Sequence, residues 1–427
     1  METVLREEIT GALPSIRLAD FKALIARSVG WVVVARVISS VGGIVRYVLF
    51  ARLLGPFDFG VFAAASFAEG FLRSLTDPSF SRAVVPQAGE IESYLDTIWL
   101  TMLVQGLTVA LALIVAARPL ASFFKIGDAY RVFIATAPMA MLISLQSPAA
   151  SGRIARNLDF RILCQLDLAD LMGTLIIGGI AVIWLGDWRG LIVAVTAGQA
   201  ARAALTYWYF PYWPRMTLDF RKARELFRFG RWVTLRRLAD FAAGNLDNLV
   251  VGHLLGAQPL GEYQFAFRLG GLPCSEVSLT SGVVIFPLMT RVGRDGAFQR
   301  RIFLLAIAVV VAVGVIYALL MSRWASLLLS FTVGKHWLDA LGPLKLLCWY
   351  GCGRGVIVVG THVLDGLNKP AYSFSITLTS IVLLAAFIYP LTAALGTVGA
   401  AWAALISVAI PSAVMFRLYH KVSGESV

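Results

Sequence analysis

The chain is short of charged residues. Asp, Glu, Lys and Arg together make up only 15% of its 427 residues, whereas 58% are hydrophobic. A soluble domain of ordinary composition carries about 25% charged residues. The few charges lie in short islands between apolar runs of about 17–25 residues, the length that crosses a bilayer as a helix. This composition excludes an ordinary soluble protein and predicts a polytopic membrane protein.

Cysteine and histidine are also scarce, with four of each. The cysteines lie in apolar segments without a CxxC pair, so we expect them to pack as small hydrophobic residues. The sequence shows neither a metal-ligand cluster nor a phosphate-binding Walker loop, and we predict no metal and no cofactor. The connections between apolar runs are too short for a folded catalytic domain, which begins at about 50 residues. We therefore do not expect an enzyme.

Positive charge dominates, with a formal net charge of +12. The basic residues lie at the ends of apolar runs, which the retention of Lys and Arg in cytoplasmic loops explains without nucleic acid. This pattern predicts a multi-pass membrane protein with both termini in the cytoplasm. We predict twelve spanning helices, at 28–51, 58–76, 95–117, 130–150, 165–185, 190–210, 229–253, 261–289, 300–321, 341–365, 371–393 and 396–417.

The spans fall into two groups of six, separated by a basic island. The N-terminal segment is too polar for a cleavable signal and is expected to lie on the membrane surface as an amphipathic helix. We predict a cytoplasmic N-terminal segment at 1–27, a first bundle at 28–210, a cytoplasmic linker at 211–228, a second bundle at 229–418 and a cytoplasmic tail at 419–427.

An internal repeat supports this division. Residues 31–70 align without gaps on 232–271, and about ten of forty positions are identical. Among the identical pairs are Trp31/Trp232, Arg36/Arg237 and Gly60/Gly261, all at an offset of 201 because 232 − 31 = 201. The fold class predicted is therefore all-α, with two pseudo-repeated six-helix bundles around a central cavity. A transporter with its site between the halves is the usual outcome of such an arrangement.

Arginines inside the predicted spans are the candidate binding residues, because a charge in the bilayer is costly and marks function by default. Arg36 and Arg237 are repeat mates, and each could instead belong to a structural ion pair. Arg46 could alternatively extend toward the headgroups. We predict that the cavity is lined by Arg36, Arg46, Arg237, Arg268 and Arg354.

Acidic residues in the spans allow two interpretations. Asp240 and Asp247 are seven residues apart on one helix face, and they either couple an ion or, for Asp240, simply pair with Arg237. Glu69 and Arg73 have the spacing of an intrahelical ion pair, which we expect them to form.

Particular motifs resemble those of a known family. The string from Leu53 to Gly60, and later Phe286-Pro287-Leu288 and Gly334-Lys335-His336-Trp337, are similar to patterns of bacterial polysaccharide-transport flippases. These are the O-antigen and exopolysaccharide translocases of the multidrug/oligosaccharidyl-lipid/polysaccharide exporter superfamily. The resemblance extends over nearly the whole chain from about residue 28.

The resemblance implies two bundles around a cavity that opens alternately to each side. It also implies an undecaprenyl-diphosphate-linked oligosaccharide as cargo, with cavity arginines on the diphosphate and membrane lipids around the carrier. A polysaccharide polymerase and chain-length machinery are the expected protein partners, and nucleic acid is not. Two alternatives stay open: a small-molecule or drug exporter of the same superfamily, and a membrane polysaccharide polymerase.

Overall fold

A computed structural model describes residues 40–76, 91–147, 160–214, 220–291, 296–367 and 369–424. These ranges contain twelve α-helices. The first half comprises α1 (40–53), α2 (Pro56–Thr76), α3 (Ile91–Val115), α4 (Ala117–Phe123), α5 (Arg131–Ser144), α6 (Phe160–Leu185) and α7 (Trp188–Tyr209). The second half comprises α8 (Phe220–Leu255), α9 (Ala257–Arg291), α10 (Gly296–Thr332), α11 (Leu341–Gly366) and α12 (Pro370–Gly424).

Each of the twelve predicted spans contains a helix of the described residues. The short helix α4 was not predicted, and the last two predicted spans both lie in α12. Gly396 breaks α12 through a positive φ of 62°. A side chain at Gly399 would lie 1.8 Å from the Leu391 carbonyl oxygen, so the two segments of α12 turn back closely on each other. The predicted spans at 371–393 and 396–417 are therefore joined by a glycine turn without a loop.

Several helix ends differ from the prediction. Helix α8 begins at Phe220, so residues 220–228 of the predicted linker are helical. Helix α10 continues to Thr332, beyond the predicted end at 321, because the sequence after Arg323 is again apolar. Helix α5 ends at Ser144, short of the predicted residue 150. The predicted N-terminal segment 1–27 lies outside the described residues, and the domain boundaries stay predictions.

Large apolar side chains cover the outer surface. Ile183 of α6 is 67% exposed and Phe331 of α10 is 81% exposed. By length and hydropathy alone, five helices of the described residues qualify as spans, at Leu95–Val115, Arg161–Leu185, Gln299–Thr332, Lys335–Gly366 and Ala371–Met415. Such an apolar surface is stable against lipid and not against water. The chain is thus an all-α polytopic membrane protein, as predicted.

The two halves meet where the repeat copies cross. A Cβ atom on Gly60 of α2 would lie 1.7 Å from the Ala257 carbonyl oxygen, and one on Gly261 of α9 would lie 1.9 Å from that of Pro56. Only glycine permits this backbone contact between membrane helices. Gly60 and Gly261 are repeat mates, so the crossing lies on the pseudo-twofold relation between the halves.

Further contacts between the halves lie at the same end of the molecule, which holds the turns at Gly55 and Gly256. We call it the Gly55–Gly256 end. The Trp337 indole Nε1 donates a hydrogen bond to the Ala51 carbonyl oxygen at 2.7 Å. The Lys125 Nζ donates to the Leu254 carbonyl oxygen at 2.8 Å, and the His253 ring stacks on Phe123 at 4.3 Å. These contacts close the molecule at this end.

Candidate anion-binding cavity

Two cavities adjoin helix α9. The smaller, of about 230 Å³, lies between the halves and is lined by α1 and α9. The larger, of about 560 Å³, lies within the second half and is lined by α8, α9 and α11. Arg268, Leu272 and Glu276 line both cavities, so α9 forms the wall that they share.

Arg268 is the predicted arginine that the structure places most centrally. It lies eleven residues after the start of α9, about 17 Å along the helix from the Gly55–Gly256 end. Its guanidinium lies over the Tyr47 ring of α1, 5.7 Å from the centroid. Among the described residues no carboxylate forms an ion pair with it. An exposed cation that faces a cavity at membrane depth is suited to bind an anion.

Arg354 lines the larger cavity from α11, about 20 Å along that helix from its first residue. Within the described ranges it too has no carboxylate partner. The nearby Gly351 packs against the Gly270 carbonyl oxygen, which a Cβ atom would approach to 2.8 Å. Gly351 therefore permits the close packing of α11 on α9, which brings Arg354 toward the cavity.

Arg46 belongs to a polar cluster inside the first half. Its Nη1 lies 3.9 Å from Asp170 Oδ2 of α6. The Gln199 amide donates to Asp170 Oδ1 at 3.0 Å and accepts a hydrogen bond from the Gln146 amide, also at 3.0 Å. The charges of Arg46 and Arg268 are close enough to interact. Arg46 is not among the residues that line either described cavity, and it already has a carboxylate beside it.

Arg237 and Asp240 lie on α8 toward the opposite end. Arg237 is seven residues before the cavity-lining Gly244 and therefore shares its helix face, about 10 Å further along. Asp240 is exposed. Both residues make further interactions in the structure. Arg36, the repeat mate of Arg237, lies outside the described residues and stays a prediction.

Asp247 is buried, whereas Asp240 is exposed. Both were predicted as possible ion-coupling residues. The Tyr263 hydroxyl donates to its Oδ2 at 2.9 Å, and the Asn248 backbone N–H donates to its Oδ1 at 2.8 Å. Asp247 lines neither of the two described cavities, whereas its neighbour Asn248 lines the larger one. The carboxylate therefore joins α8 to α9, and its ion-coupling role stays a prediction.

The expected ion pair of α2 is present. The Arg73 Nε lies 2.6 Å from Glu69 Oε1, and its Nη2 donates to the Ala140 carbonyl oxygen at 2.9 Å. A second pair, Arg202 and Asp167, joins α7 to α6 at 2.5 Å. These arginines have carboxylate partners within the bundle, which sets them apart from Arg268 and Arg354.

Sequence reasoning missed several neutral lining residues of the larger cavity. Gln264 and Ser275 of α9 and Tyr350 of α11 line it together with the arginines. A neutral amide or hydroxyl inside a span carries little signal on its own. The repeat provides such a signal for Gln264, because this residue aligns with the apolar Ala63 of the first half.

Comparison with known proteins supports the family prediction. A protein-family model described as "Polysaccharide biosynthesis protein" matches residues 49–342. An uncharacterised membrane protein in the cps region of Klebsiella pneumoniae is 23% identical over 407 residues, which are 94% of this chain and 83% of that protein. The succinoglycan biosynthesis transport protein ExoT of Rhizobium meliloti is 26% identical over 332 residues, which are 76% of this chain and 65% of ExoT.

Solved structures agree on the fold. The lipid II flippase MurJ in an inward closed conformation superposes with a TM-score of 0.75 at 14% identity, over 92% of this chain and 90% of MurJ. An inward-facing transporter of the multidrug resistance MATE family, of the MOP superfamily, gives 0.69 at 14% identity, over 92% of this chain and 98% of that one. The family model matches most of the chain, and the motifs described above favour the same family. The chain therefore belongs to the polysaccharide biosynthesis protein family.

Proposed function

We propose that the protein translocates an undecaprenyl-diphosphate-linked oligosaccharide across the bacterial cytoplasmic membrane for the synthesis of a surface or exported polysaccharide. The observation that carries this proposal is the position of Arg268, on the wall shared by both cavities at membrane depth. A charge there is costly unless an anion compensates it. The names of relatives such as ExoT, a succinoglycan biosynthesis transport protein, support the class of cargo.

A diphosphate matches the chemistry of this site. Guanidinium groups are planar, always charged and able to donate two parallel hydrogen bonds to phosphate oxygens. Arg268 comes from the second half, and Arg46 of the first half is close enough for the two charges to interact. An anion between them would relieve the repulsion of two cations and hold the halves together. Arg237 would extend the positive surface toward the opposite end, and Arg36 stays a predicted contributor.

Transport then requires the site to become accessible from each side in turn. With both termini in the cytoplasm, the Gly55–Gly256 end faces outward, and the contacts described above close it. Cargo would enter from the opposite end, with its prenyl chain in the lipid and its diphosphate on the arginines. Separation of the halves at the Gly55–Gly256 end would release it. A polymerase and chain-length machinery would receive the product.

A drug exporter of the same superfamily is the alternative that one residue favours. Glu276 lines both cavities and, as an acid, would suit a cationic compound. Arg268 and Arg354 face the larger cavity with it, so the charged lining carries more positive than negative groups. That balance favours an anionic cargo.

The test uses Arg268→Ala and Arg268→Lys in a strain that lacks the natural gene. We expect lipid-linked oligosaccharide to accumulate on the cytoplasmic face, where a membrane-impermeant reagent cannot label its sugars in intact spheroplasts. Purified Arg268→Ala should bind undecaprenyl diphosphate about 10- to 100-fold more weakly, because a charge-assisted contact is lost.

Arg189→Ala is the matched control, since Arg189 is an exposed arginine at the Gly55–Gly256 end that faces Asp187. It should export and bind like the natural protein. If both Arg268 variants export normally at wild-type abundance, Arg268 does not hold the cargo. If deletion of the gene leaves the surface polysaccharide unchanged while it raises drug sensitivity, the exporter alternative is correct.

A further inference from the structure

We propose that the larger cavity of the second half is a sugar subsite, which binds the sugar attached directly to the diphosphate. The inference rests on the proposed function and adds to it a place for the glycan. The cavity, of about 560 Å³, falls within the range of small-molecule sites and has a lining of α8, α9 and α11 residues.

The polarity of this cavity is not a requirement of the architecture. The repeat, which pairs residues 232–271 with 31–70, relates several of the lining residues to positions in the first half at the offset of 201. Asn245 aligns with Ile44, Gln264 with Ala63 and Arg268 with Phe67. The first half therefore builds the same helices with apolar residues at these positions. Polar groups in a membrane bundle are retained for a purpose, because neutral apolar residues are less costly there.

One buried hydrogen-bonding atom of the lining has no partner among the described residues. Asn248 is 3% exposed, and its Oδ1 has no hydrogen-bond partner in the described part of the chain. A buried acceptor left without a partner is unfavourable by about 1–3 kcal/mol. An ionised diphosphate has only acceptor oxygens and cannot satisfy it, whereas a sugar hydroxyl both donates and accepts. Asn248 therefore favours a sugar.

Other groups of the cavity suit the same ligand. The rings of Phe267 and Tyr350 lie 5.3 Å apart and present an apolar surface beside the amides. A sugar has an apolar ring face together with polar edges, and a mixed aromatic and amide lining complements both. The Glu276 carboxylate accepts hydrogen bonds from hydroxyls but repels a phosphate.

The position of Arg268 indicates how the cargo would lie. Arg268 stands on the wall between them. A diphosphate bound by Arg268 from the side of the smaller cavity would direct one end of the molecule toward the larger cavity. The glycosidic oxygen joins the diphosphate to its first sugar, so that sugar is the part of the glycan nearest to Arg268. The larger cavity is then specific for this sugar, and the rest of the glycan continues toward the opposite end.

The experiment compares purified variants for binding to undecaprenyl diphosphate and to three probes that carry one sugar on it: glucose, galactose or N-acetylglucosamine. The natural protein should bind at least one sugar probe more tightly than undecaprenyl diphosphate. Gln264→Ala and Tyr350→Phe should each reduce that preference about 3- to 10-fold, the effect of one neutral hydrogen bond. Both variants should retain the affinity for undecaprenyl diphosphate.

Gln258→Ala is the control, because Gln258 is an exposed amide of the same helix and bonds to Glu262. It should behave like the natural protein. The proposal is overturned if no sugar probe binds more tightly than undecaprenyl diphosphate, or if Gln264→Ala and Tyr350→Phe keep the full preference. Arg268→Ala separates this outcome from a failure of the proposed function: it should weaken binding of every probe, and unchanged binding there would reject the diphosphate site itself.

Discussion

The arginines inside the membrane differ in what lies beside them. Arg73 and Arg202 have close carboxylate partners in the first half, at 2.6 and 2.5 Å. Arg46 has a distant one in Asp170, at 3.9 Å. An ion pair at that separation is weaker than a hydrogen-bonded pair, so a diphosphate could displace Asp170 from Arg46. Under the proposed function, Asp170 would compete with the cargo for Arg46 and would favour release.

Asp170→Asn tests this competition. The substitution removes the negative charge but keeps an acceptor for the Gln199 amide. We expect undecaprenyl diphosphate to bind about threefold more tightly, in line with the modest strength of partly exposed ion pairs. Transport should be slower because release is harder. Binding is measured on purified protein and transport in proteoliposomes.

Asp167→Asn provides the comparison on the same helix, since Asp167 pairs with Arg202 and not with Arg46. It should leave the affinity for undecaprenyl diphosphate unchanged. An Asp170→Asn protein that binds no more tightly than the natural one would show that Asp170 only stabilises the bundle.

Some of these ion pairs could be predicted from the sequence, and others could not. The Glu69–Arg73 pair follows from helical spacing, because both residues lie on α2 one turn apart. The contact of Arg46 with Asp170 joins α1 to α6, and spacing along one helix carries no information about it. For the same reason Asp247 looked like a cavity residue, although Tyr263 holds its carboxylate in the packing of α8 on α9.

At the scale of elements, the crossing of α2 and α9 is the closest helix contact between the halves. A side chain on Gly60 would lie 1.7 Å from the Ala257 carbonyl oxygen and 3.0 Å from the Gly261 nitrogen. The neighbouring atoms are backbone and cannot rotate away. The crossing therefore tolerates no Cβ atom without separation of the two helices.

Gly60→Ala should accordingly destabilise the protein by about 1–3 kcal/mol, the usual effect of overpacking. The melting temperature of the purified protein in detergent is the measurement. Gly179→Ala on α6 is the matched control, because nothing lies within 4 Å of its Cβ position. Alanine there should be neutral or stabilising, since it favours the helix. Equal melting temperatures for the two variants would contradict the contact.

Hydropathy predicted the existence of the helices better than their ends. Each of the twelve apolar runs contains a helix among the described residues, because the backbone in lipid must satisfy its hydrogen bonds internally. The ends are set by local chemistry outside the hydrocarbon region. Helix α8 continues through the basic residues after Phe220, since nothing in that stretch interrupts a helix. Helix α10 extends to Thr332 for a similar reason, and Gly334, with a φ of 109°, follows it.

At the scale of the whole molecule, the repeat predicted two halves. Its identical glycines Gly60 and Gly261 lie where the two halves are in contact. The repeat could not predict the cavities, because these depend on positions where the copies differ. Gly43 and Gly244 are repeat mates and each lines a cavity, yet the two cavities differ in size and polarity. The halves therefore share a framework and divide the binding chemistry between them unequally.

The closed Gly55–Gly256 end must open if the site is to be reached from that side. A Cβ atom on Gly256 would lie 3.7 Å from the Lys125 Cβ atom, a separation that suits a disulfide. The double variant Lys125→Cys/Gly256→Cys should therefore cross-link on oxidation and fix the halves together at this end. Oxidation should stop transport in proteoliposomes and reduction should restore it, because the bond prevents only the separation of the halves.

Binding distinguishes a locked transporter from a damaged one. The oxidised double variant should still bind undecaprenyl diphosphate, since Arg268 lies about 17 Å along α9 from the cross-link and the proposed entry of cargo is from the opposite end. The single variant Gly256→Cys controls for strain at a glycine with a φ of 89°. Transport at the natural rate by a fully cross-linked protein would mean that this end does not open. The Gly60–Gly261 crossing would then be a permanent joint, and the cargo would have to leave by another route.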